Sequence, residues 1–201
     1  MELLFATTNK GKISEISEII KLKGYPNIAI SGIENAISEP EENGTTYKEN
    51  AEIKFLYYQN HIKTNGKILF SEDSGLEIPA LEHGIVGVNS APFMKKFQTK
   101  MECFLKIKEM LERKHSTAEE LPAYFFCNIC TQLDGKILHF EGKIEGFLTF
   151  ENITDDGFGY DPIFIPQNSK KTFAKMKSTY KNEISHRATA FDKFMKYTQN
   201  V

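Results

Sequence analysis

The first twenty residues constrain the fold more than any other stretch of the chain. Met1 to Thr7 carries Leu3, Leu4, Phe5 and Ala6 in succession and reads as a buried opening strand, and from Gly11 onward Ile13, Ile16, Ile19 and Ile20 fall on one helical face. A strand that passes through a short polar turn into an amphipathic helix needs a sheet beside it and a helical layer over it. The rest of the chain keeps that alternation. A second short strand is expected around Asn27 to Ser31, and Thr46-Tyr47-Lys48-Glu49 is a capping-box pattern that opens a helix through about Thr64, with Ala51, Phe55, Tyr58 and Ile62 on one stripe. Lys67 to Phe70 reads as a strand, Pro92 to about Lys114 as one long helix, and Ser116 to Leu121 as a polar connector into a strand ending at Leu133. Asp134-Gly135 is a hairpin signal that returns the chain through Glu141 and on to Phe150. The alternation places the chain in the α/β class, and the fold expected within it is one long, mixed, strongly twisted sheet flanked by helices.

A length of 201 residues with 40% hydrophobic content supports one well-cored domain, or one domain made of two lobes over residues 1–201. The 25 Lys+Arg and 27 Asp+Glu leave a net charge of −2, so nothing at whole-chain level draws the protein to nucleic acid or to an anionic membrane. Any anion site is local. No run approaches the ~18 uncharged apolar residues of a membrane helix, and a strand stands where a signal peptide would begin, so a cytoplasmic protein is expected. Cys103, Cys127 and Cys130 are few and odd in number, against a disulfide scaffold. Cys127 and Cys130 lie three apart in an expected strand, hence on opposite faces, and no second pair completes a zinc site, so they are expected to be structural.

Chemistry is expected first at Ser71-Glu72-Asp73-Ser74-Gly75, where the apolar run Ile68-Leu69-Phe70 delivers two adjacent acids. Side chains alternate faces along a strand, so Glu72 and Asp73 enter one cleft only if the chain turns there, and Gly75 is expected to close such a turn. Alone, the string also fits a plain polar turn. Between the opening strand and helix, Thr7-Thr8-Asn9-Lys10-Gly11-Lys12 gathers backbone N–H groups, the positive end of a helix dipole and an ammonium, which suits phosphate. It lacks the Walker spacing, and an ordinary helix cap is the other reading. Glu39 to Gly44 is an acidic loop, and Lys54 falls on a polar position of its helix, facing either water or a cleft. Gly157-Phe158-Gly159-Tyr160-Asp161-Pro162 interleaves glycines with rings that either meet a flat ligand or cap the core. Lys181, His186 and Arg187 cluster donors near a helix start.

These segments, in this order, resemble those of the Ham1-like inosine triphosphate pyrophosphatases. The resemblance rests on Ala6-Thr7-Thr8-Asn9-Lys10-Gly11-Lys12, Glu41-Glu42-Asn43-Gly44-Thr45, Glu49-Asn50-Ala51-x-x-Lys54, Glu72-Asp73-Ser74-Gly75-Leu76, Gly157 to Pro162 and Ser185-His186-Arg187. It implies hydrolysis of ITP, dITP and XTP to the monophosphate and pyrophosphate with Mg²⁺, by a homodimer whose subunit has two lobes around a nucleotide cleft. Position by position, it implies that Thr7, Thr8, Asn9, Lys10, Gly11 and Lys12 line the triphosphate and that Lys54 reaches a phosphate. Glu42, Glu72 and Asp73 would hold the metal, with Asp73 also the general base and Ser74 touching substrate. Phe158, Gly159, Tyr160 and Asp161 would wall the base pocket, and Lys181, His186 and Arg187 would read the purine's oxygens.

Three single positions and one short segment depart from the family pattern. Glu72 stands where Asp is common, and Asn89-Ser90-Ala91-Pro92-Phe93 replaces a Tyr-Ser-Ala-Arg-Tyr-like segment, with proline for the usual arginine. Ala188 stands where glycine is common and Lys175 where an acid is common. A pyrophosphatase for modified or pyrimidine nucleotides, as in the related Maf-like family, and a non-catalytic nucleotide sensor are the alternatives.

Overall fold

The opening pattern forms as expected: β1 (Glu2–Phe5) leads through a short turn into α1 (Lys10–Leu22), whose Ile16, Ile19 and Ile20 are buried. The structure is a computed structural model that describes residues 1–25, 27–33, 38–114 and 121–199. The remaining strands are β2 (Ala29–Gly32), β3 (Ile68–Glu77), β4 (Leu121–Leu133), β5 (Lys136–Leu148) and β6 (Phe164–Pro166). They build one six-stranded sheet in the order β2-β1-β3-β4-β5-β6. The sheet is mixed. β1 pairs in parallel with β2 (Leu3 opposite Ile30) and with β3 (Leu4 opposite Leu69), whereas β5 and β6 are antiparallel, with Phe147 opposite Ile165. The β4–β5 hairpin turns at Asp134 and Gly135, both at positive φ, as a two-residue turn of this kind requires.

The chain forms two compact units. The first comprises residues 1–74, 127–143 and 182–201, the second residues 75–126 and 144–181. In the first unit the sheet is covered on both faces, with a separate apolar cluster on each. On one face Leu3, Phe5 and Phe70 pack with Ile16 and Ile19 of α1 and with Phe191, Phe194 and Met195 of the final helix. On the other, Leu4, Ala6 and Leu69 pack with Ala51, Phe55 and Tyr58 of α2 (Tyr47–His61). Each fully buried side chain such as Phe191 contributes about 1.5–3 kcal/mol. Cys127 belongs to the first cluster and Cys130 to the second, as their spacing demands. All three cysteines are free and buried.

Three expectations are corrected. β3 does not turn at Ser71–Gly75 but continues as one strand from Ile68 to Glu77, between β1, which pairs with Ile68 to Phe70, and β4 on its other side, so pairing in the sheet overrides the turn preference of its polar residues. The single helix expected from Pro92 to Lys114 is two, α3 (Ser90–Met94) and α4 (Lys100–Arg113). The break is a cap: Thr99 Oγ1 accepts from the Glu102 N–H at 3.1 Å, and Glu102 Oε2 accepts from the Gln98 N–H at 2.9 Å. α2 ends at His61 rather than near Thr64, and residues 115–120 of the expected connector lie outside the described residues. Among the described residues, no helix is long and apolar enough to cross a membrane.

The last two helices are α5 (Ser178–Ile184) and α6 (His186–Thr198), separated by Ser185, whose side chain caps α6 through the Ala188 N–H. The start of α6 rests directly on β5 at Gly142. A Cβ there would stand 1.9 Å from the His186 carbonyl oxygen and 2.6 Å from the Ala190 nitrogen. Gly142→Ala is therefore expected to destabilise the protein by about 3 kcal/mol, the usual upper end for forced overpacking. Thermal denaturation should show a fall of roughly 6–12 °C, and a melting temperature within roughly 2 °C of the parent would contradict the contact.

Candidate functional site

Because β3 stays extended, its side chains alternate, and the alternation separates two chemistries. Phe70, Glu72 and Ser74 face α1 and α6: Phe70 joins that cluster, and Glu72 and Ser74 both meet Arg187 of α6. Leu69, Ser71 and Asp73 face α2: Leu69 joins the other cluster, Ser71 Oγ donates to the Ala51 carbonyl at 2.5 Å, and Asp73 meets Asn50. The two adjacent acids thus point to opposite sides of the sheet.

On the first side Glu72 and Arg187 form a buried ion pair, 1% and 2% exposed. Arg187 Nε donates to Glu72 Oε2 at 2.7 Å and Nη2 to Oε1 at 3.1 Å, a bidentate geometry. Arg187 also donates to Ser74 Oγ at 3.0 Å and to Glu15 Oε2 at 2.7 Å, and Lys12 Nζ lies 2.8 Å from Glu72 Oε1. The Cys127 thiol donates to Glu72 Oε2 at 3.2 Å. Burial alone would raise the Glu72 pKa, but Arg187 and then Lys12 overrule it and hold the carboxyl well below its usual range. Burial likewise works against the Lys12 charge, and Glu72 outweighs it, so the ammonium's pKa is raised. The expectation that Glu72 joins Asp73 at a metal is not what this geometry offers. Both its oxygens are held by cations on the far face of the strand. Arg187 is likewise committed to carboxylates rather than set out to meet a purine.

The α2 side holds the reactive candidate. Asp73 Oδ2 accepts from Asn50 Nδ2 at 3.3 Å, and Lys54 Nζ lies 3.0 Å from Glu42 Oε1 while donating to the Glu72 carbonyl at 3.0 Å. Lys54 therefore faces this cluster rather than water. Burial raises the Asp73 pKa from 3.8 to about 6; Glu42 pushes the same way, while Lys54, Lys12 and Asn50 oppose it. A carboxyl near neutrality beside an ammonium suits proton transfer.

The turn expected to take phosphate is built as a capped helix start. Asn9 caps α1, its Oδ1 accepting from the Lys12 N–H at 3.2 Å, and Thr7 Oγ1 accepts from the Asn9 N–H at 3.2 Å. The first-turn N–H groups of Lys10 and Gly11 have no acceptor within the helix, which keeps the dipole end available to an anion. Thr8 Oγ1 donates to Glu39 Oε1 at 2.8 Å.

The aromatic loop belongs to the second unit. Phe158 is 44% exposed, flanked by Gly157 and Gly159 at positive φ, whereas Tyr160 is buried, its hydroxyl donating to the Ser90 carbonyl at 2.6 Å. Only the Phe158 ring is therefore set out for a flat ligand; Tyr160 anchors the loop. Asp161 Oδ2 accepts from the Phe158 N–H at 3.3 Å and from Lys181 Nζ at 2.5 Å, and Lys181 also lies 5.6 Å from the Phe173 ring centroid. His186, buried at the start of α6, belongs to the first unit.

Two residues that sequence reasoning missed are Glu15 and Asn50. Glu15 reads as the polar face of α1, and Asn50 as part of a helix opening; only the tertiary fold brings their partners, 172 and 23 positions away. As for a metal, no group of three or more His, Cys, Asp or Glu side chains is arranged to hold one among the described residues. Asp73 and Glu42 are nonetheless a fit for Mg²⁺, which is commonly held by one or two carboxylates together with substrate phosphates. The cysteines do not fit a metal, since burial pushes the Cys130 thiol up to about 12 and the Cys127 thiol well above its usual value.

A profile of the Ham1 family matches residues 3–197. A dITP/XTP pyrophosphatase of Malacoplasma penetrans is 36% identical over 208 residues, covering 100% of this chain and 99% of the relative. Another from Agrobacterium fabrum is 38% identical, covering 96% and 94%. Among solved structures, a HAM1 protein from Coxiella burnetii superposes with a TM-score of 0.81 at 30% identity over the full length of both chains. The Staphylococcus aureus Ham1 protein gives 0.75 at 30% identity, covering 100% of this chain and 99% of the other.

The raised Asp73 pKa makes a sign-definite statement about stability. The folded protein holds this proton more tightly than the unfolded chain, so the contribution is present below pH 4 and lost as pH rises through about 6. Above that, the buried charge costs about 3 kcal/mol. In metal-free buffer, Asp73→Asn is expected to raise stability at pH 8 by that order and to lose the gain by pH 4. Urea denaturation at both pH values checks this, and an equal effect at each would contradict it.

Proposed function

The chain belongs to the Ham1 family, and from that premise we propose that it is a Mg²⁺-dependent hydrolase of non-standard purine nucleoside triphosphates. Its substrates on this reading are dITP, ITP and XTP, and its products the monophosphate and pyrophosphate. The single observation that carries the reading is the arrangement on the α2 side of β3, where the buried Asp73 carboxyl accepts from Asn50 and Lys54 is held by Glu42 and the Glu72 carbonyl, burial raising the Asp73 pKa to about 6. Such a group is ionised at neutral pH yet basic enough to take a proton from water.

Attack by water on the α-phosphorus requires a base, neutralised phosphates and a stabilised leaving group. Asp73 accepts the proton of the attacking water. Lys12 and Lys54 supply positive charge to the phosphates, and the start of α1, with Asn9 holding its first turn and Thr7 and Thr8 beside it, offers backbone donors. For this to happen the phosphates must compete with the carboxylates of Glu72 and Glu42 for the two ammonium groups. Mg²⁺, held by Asp73 and Glu42, would supply further neutralisation of the phosphates and of the departing pyrophosphate. Within the second unit, the exposed Phe158 ring offers a stacking face and Lys181 a donor to a 6-oxo group; His186, in the first unit, stays a proposed purine donor on the family likeness alone. An adenine 6-amino group would set donor against donor there and leave buried groups unpaired. Arg187 is read as scaffold. A cytoplasmic homodimer is proposed on the same family likeness.

Incubation with dITP and Mg²⁺ is expected to yield dIMP and pyrophosphate; dIDP and orthophosphate would contradict the assignment. Asp73→Asn should lower kcat by about 10²–10⁴-fold, the usual worth of a general base, with the fold intact by circular dichroism. A pyrimidine triphosphate preferred over dITP by about tenfold or more in kcat/KM would favour the Maf-like alternative.

A further inference from the structure

Asn50 ties together two chain segments that the proposed chemistry needs at fixed separation. It is buried on the second turn of α2, where its Oδ1 accepts from the Gly44 N–H at 2.7 Å and its Nδ2 donates to Asp73 Oδ2 at 3.3 Å. The orientation of the amide is chemically forced. A backbone N–H can only donate, so the amide oxygen faces Gly44 and the amide nitrogen is left for the carboxylate. The approach of the loop is as tight as backbone allows: a Cβ at Gly44 would stand 2.6 Å from Asn50 Oδ1 and 2.7 Å from Glu49 Cβ. Glu42 lies two residues before this glycine. The residues after it are pinned to the same helix start, the Thr45 and Thr46 N–H groups donating to Glu49 Oε2 at 2.7 and 3.2 Å.

We propose that Asn50 is the positioning residue of the site: one amide fixes the plane of the Asp73 carboxylate and, through Gly44, the loop that presents Glu42. The inference rests on the reading of Asp73 as the general base. A carboxylate that swings about its Cβ–Cγ bond loses alignment with an attacking water, and a loop freed at Gly44 carries Glu42 away from Lys54. Both faults slow the chemical step more than they weaken substrate binding, because Lys12 and the capped start of α1, which meet the phosphates, are held by contacts that do not involve Asn50.

The test compares the parent enzyme with Asn50→Ala, Asn50→Asp, Gly44→Ala and the Asn50→Ala/Gly44→Ala double variant, by dITP kinetics with Mg²⁺ and by hydrogen exchange at the Gly44 amide. Asn50→Ala is expected to lower kcat by about 10–100-fold while KM for dITP moves less than about threefold. Asn50→Asp keeps an acceptor for Gly44 but sets a second carboxylate against Asp73, so it should lose at least as much activity while Gly44 exchange stays slow. In Asn50→Ala that exchange accelerates. Gly44→Ala should also lower kcat, and the double variant should lose no more than the worse single one, because both break one tie. The proposal is overturned if folded Asn50→Ala and Asn50→Asp keep kcat within about twofold of the parent, if the loss lies in KM alone, or if the single effects multiply. A parent protein that releases no pyrophosphate from dITP overturns the proposed function instead, and the exchange at Gly44 still reports on the tie.

Discussion

The buried ion pair between Glu72 and Arg187 is the constraint on which the rest of the first unit depends. Two charges taken out of water are tolerated only when their hydrogen bonds are filled, and here they are. Glu72 receives two guanidinium donors, the Lys12 ammonium and a thiol, while Arg187 also reaches Glu15 and Ser74. The pair clamps β3, α1 and α6 together at one point. It also holds the start of α6 where Gly142 lets the helix backbone touch the strand. Removing one partner would strand the other, so the Glu72–Arg187 pair holds the frame of this unit although both its members are ionisable.

The same strand turns its next side chain to the opposite face, and there the balance is different. Asp73 has burial without a guanidinium, so its pKa rises where that of Glu72 falls. The pKa values of two adjacent acids on one strand are thereby driven apart, that of Glu72 lowered by its cations and that of Asp73 raised by burial. The division comes from the two-residue period of the strand and from which helix lies over each face. α2 supplies Asn50 and Lys54 to the poised acid, and its capped start holds the acidic loop. A departure from the family pattern at Glu72 fits this arrangement, since the longer side chain still reaches its cations. The proline at position 92 is accommodated in the first turn of α3, where it leaves no helical hydrogen bond unmade.

Much of this was legible in the sequence, for identifiable reasons. The α/β class, the opening strand and helix, the capping box at Thr46 and the Asp134-Gly135 hairpin all follow from local pattern, and local pattern decides them. The unbroken run of β3 through Ser71–Gly75 did not, because Ser, Asp and Gly carry turn preferences that only pairing in the sheet overrules. That error mattered, since a turn would have put both acids in one cleft. Glu15, Asn50 and the buried role of Tyr160 were hidden for a related reason: their partners come from remote segments, and nothing in the local spacing announces them. Arg187 was noticed as a donor, but its three carboxylate and hydroxyl partners could only be seen once α6 lay across β3.

The central claim is that the two faces of β3 divide the labour, with Asp73 and Glu42 meeting the metal and Glu72 kept by Arg187. The most direct measurement is an anomalous-scattering map from crystals grown with Mn²⁺ and a non-hydrolysable dITP analogue. The account predicts a metal peak bonded to Asp73 and Glu42 while Arg187 remains on Glu72. A peak bonded to Glu72, with Arg187 released from it, would contradict the account.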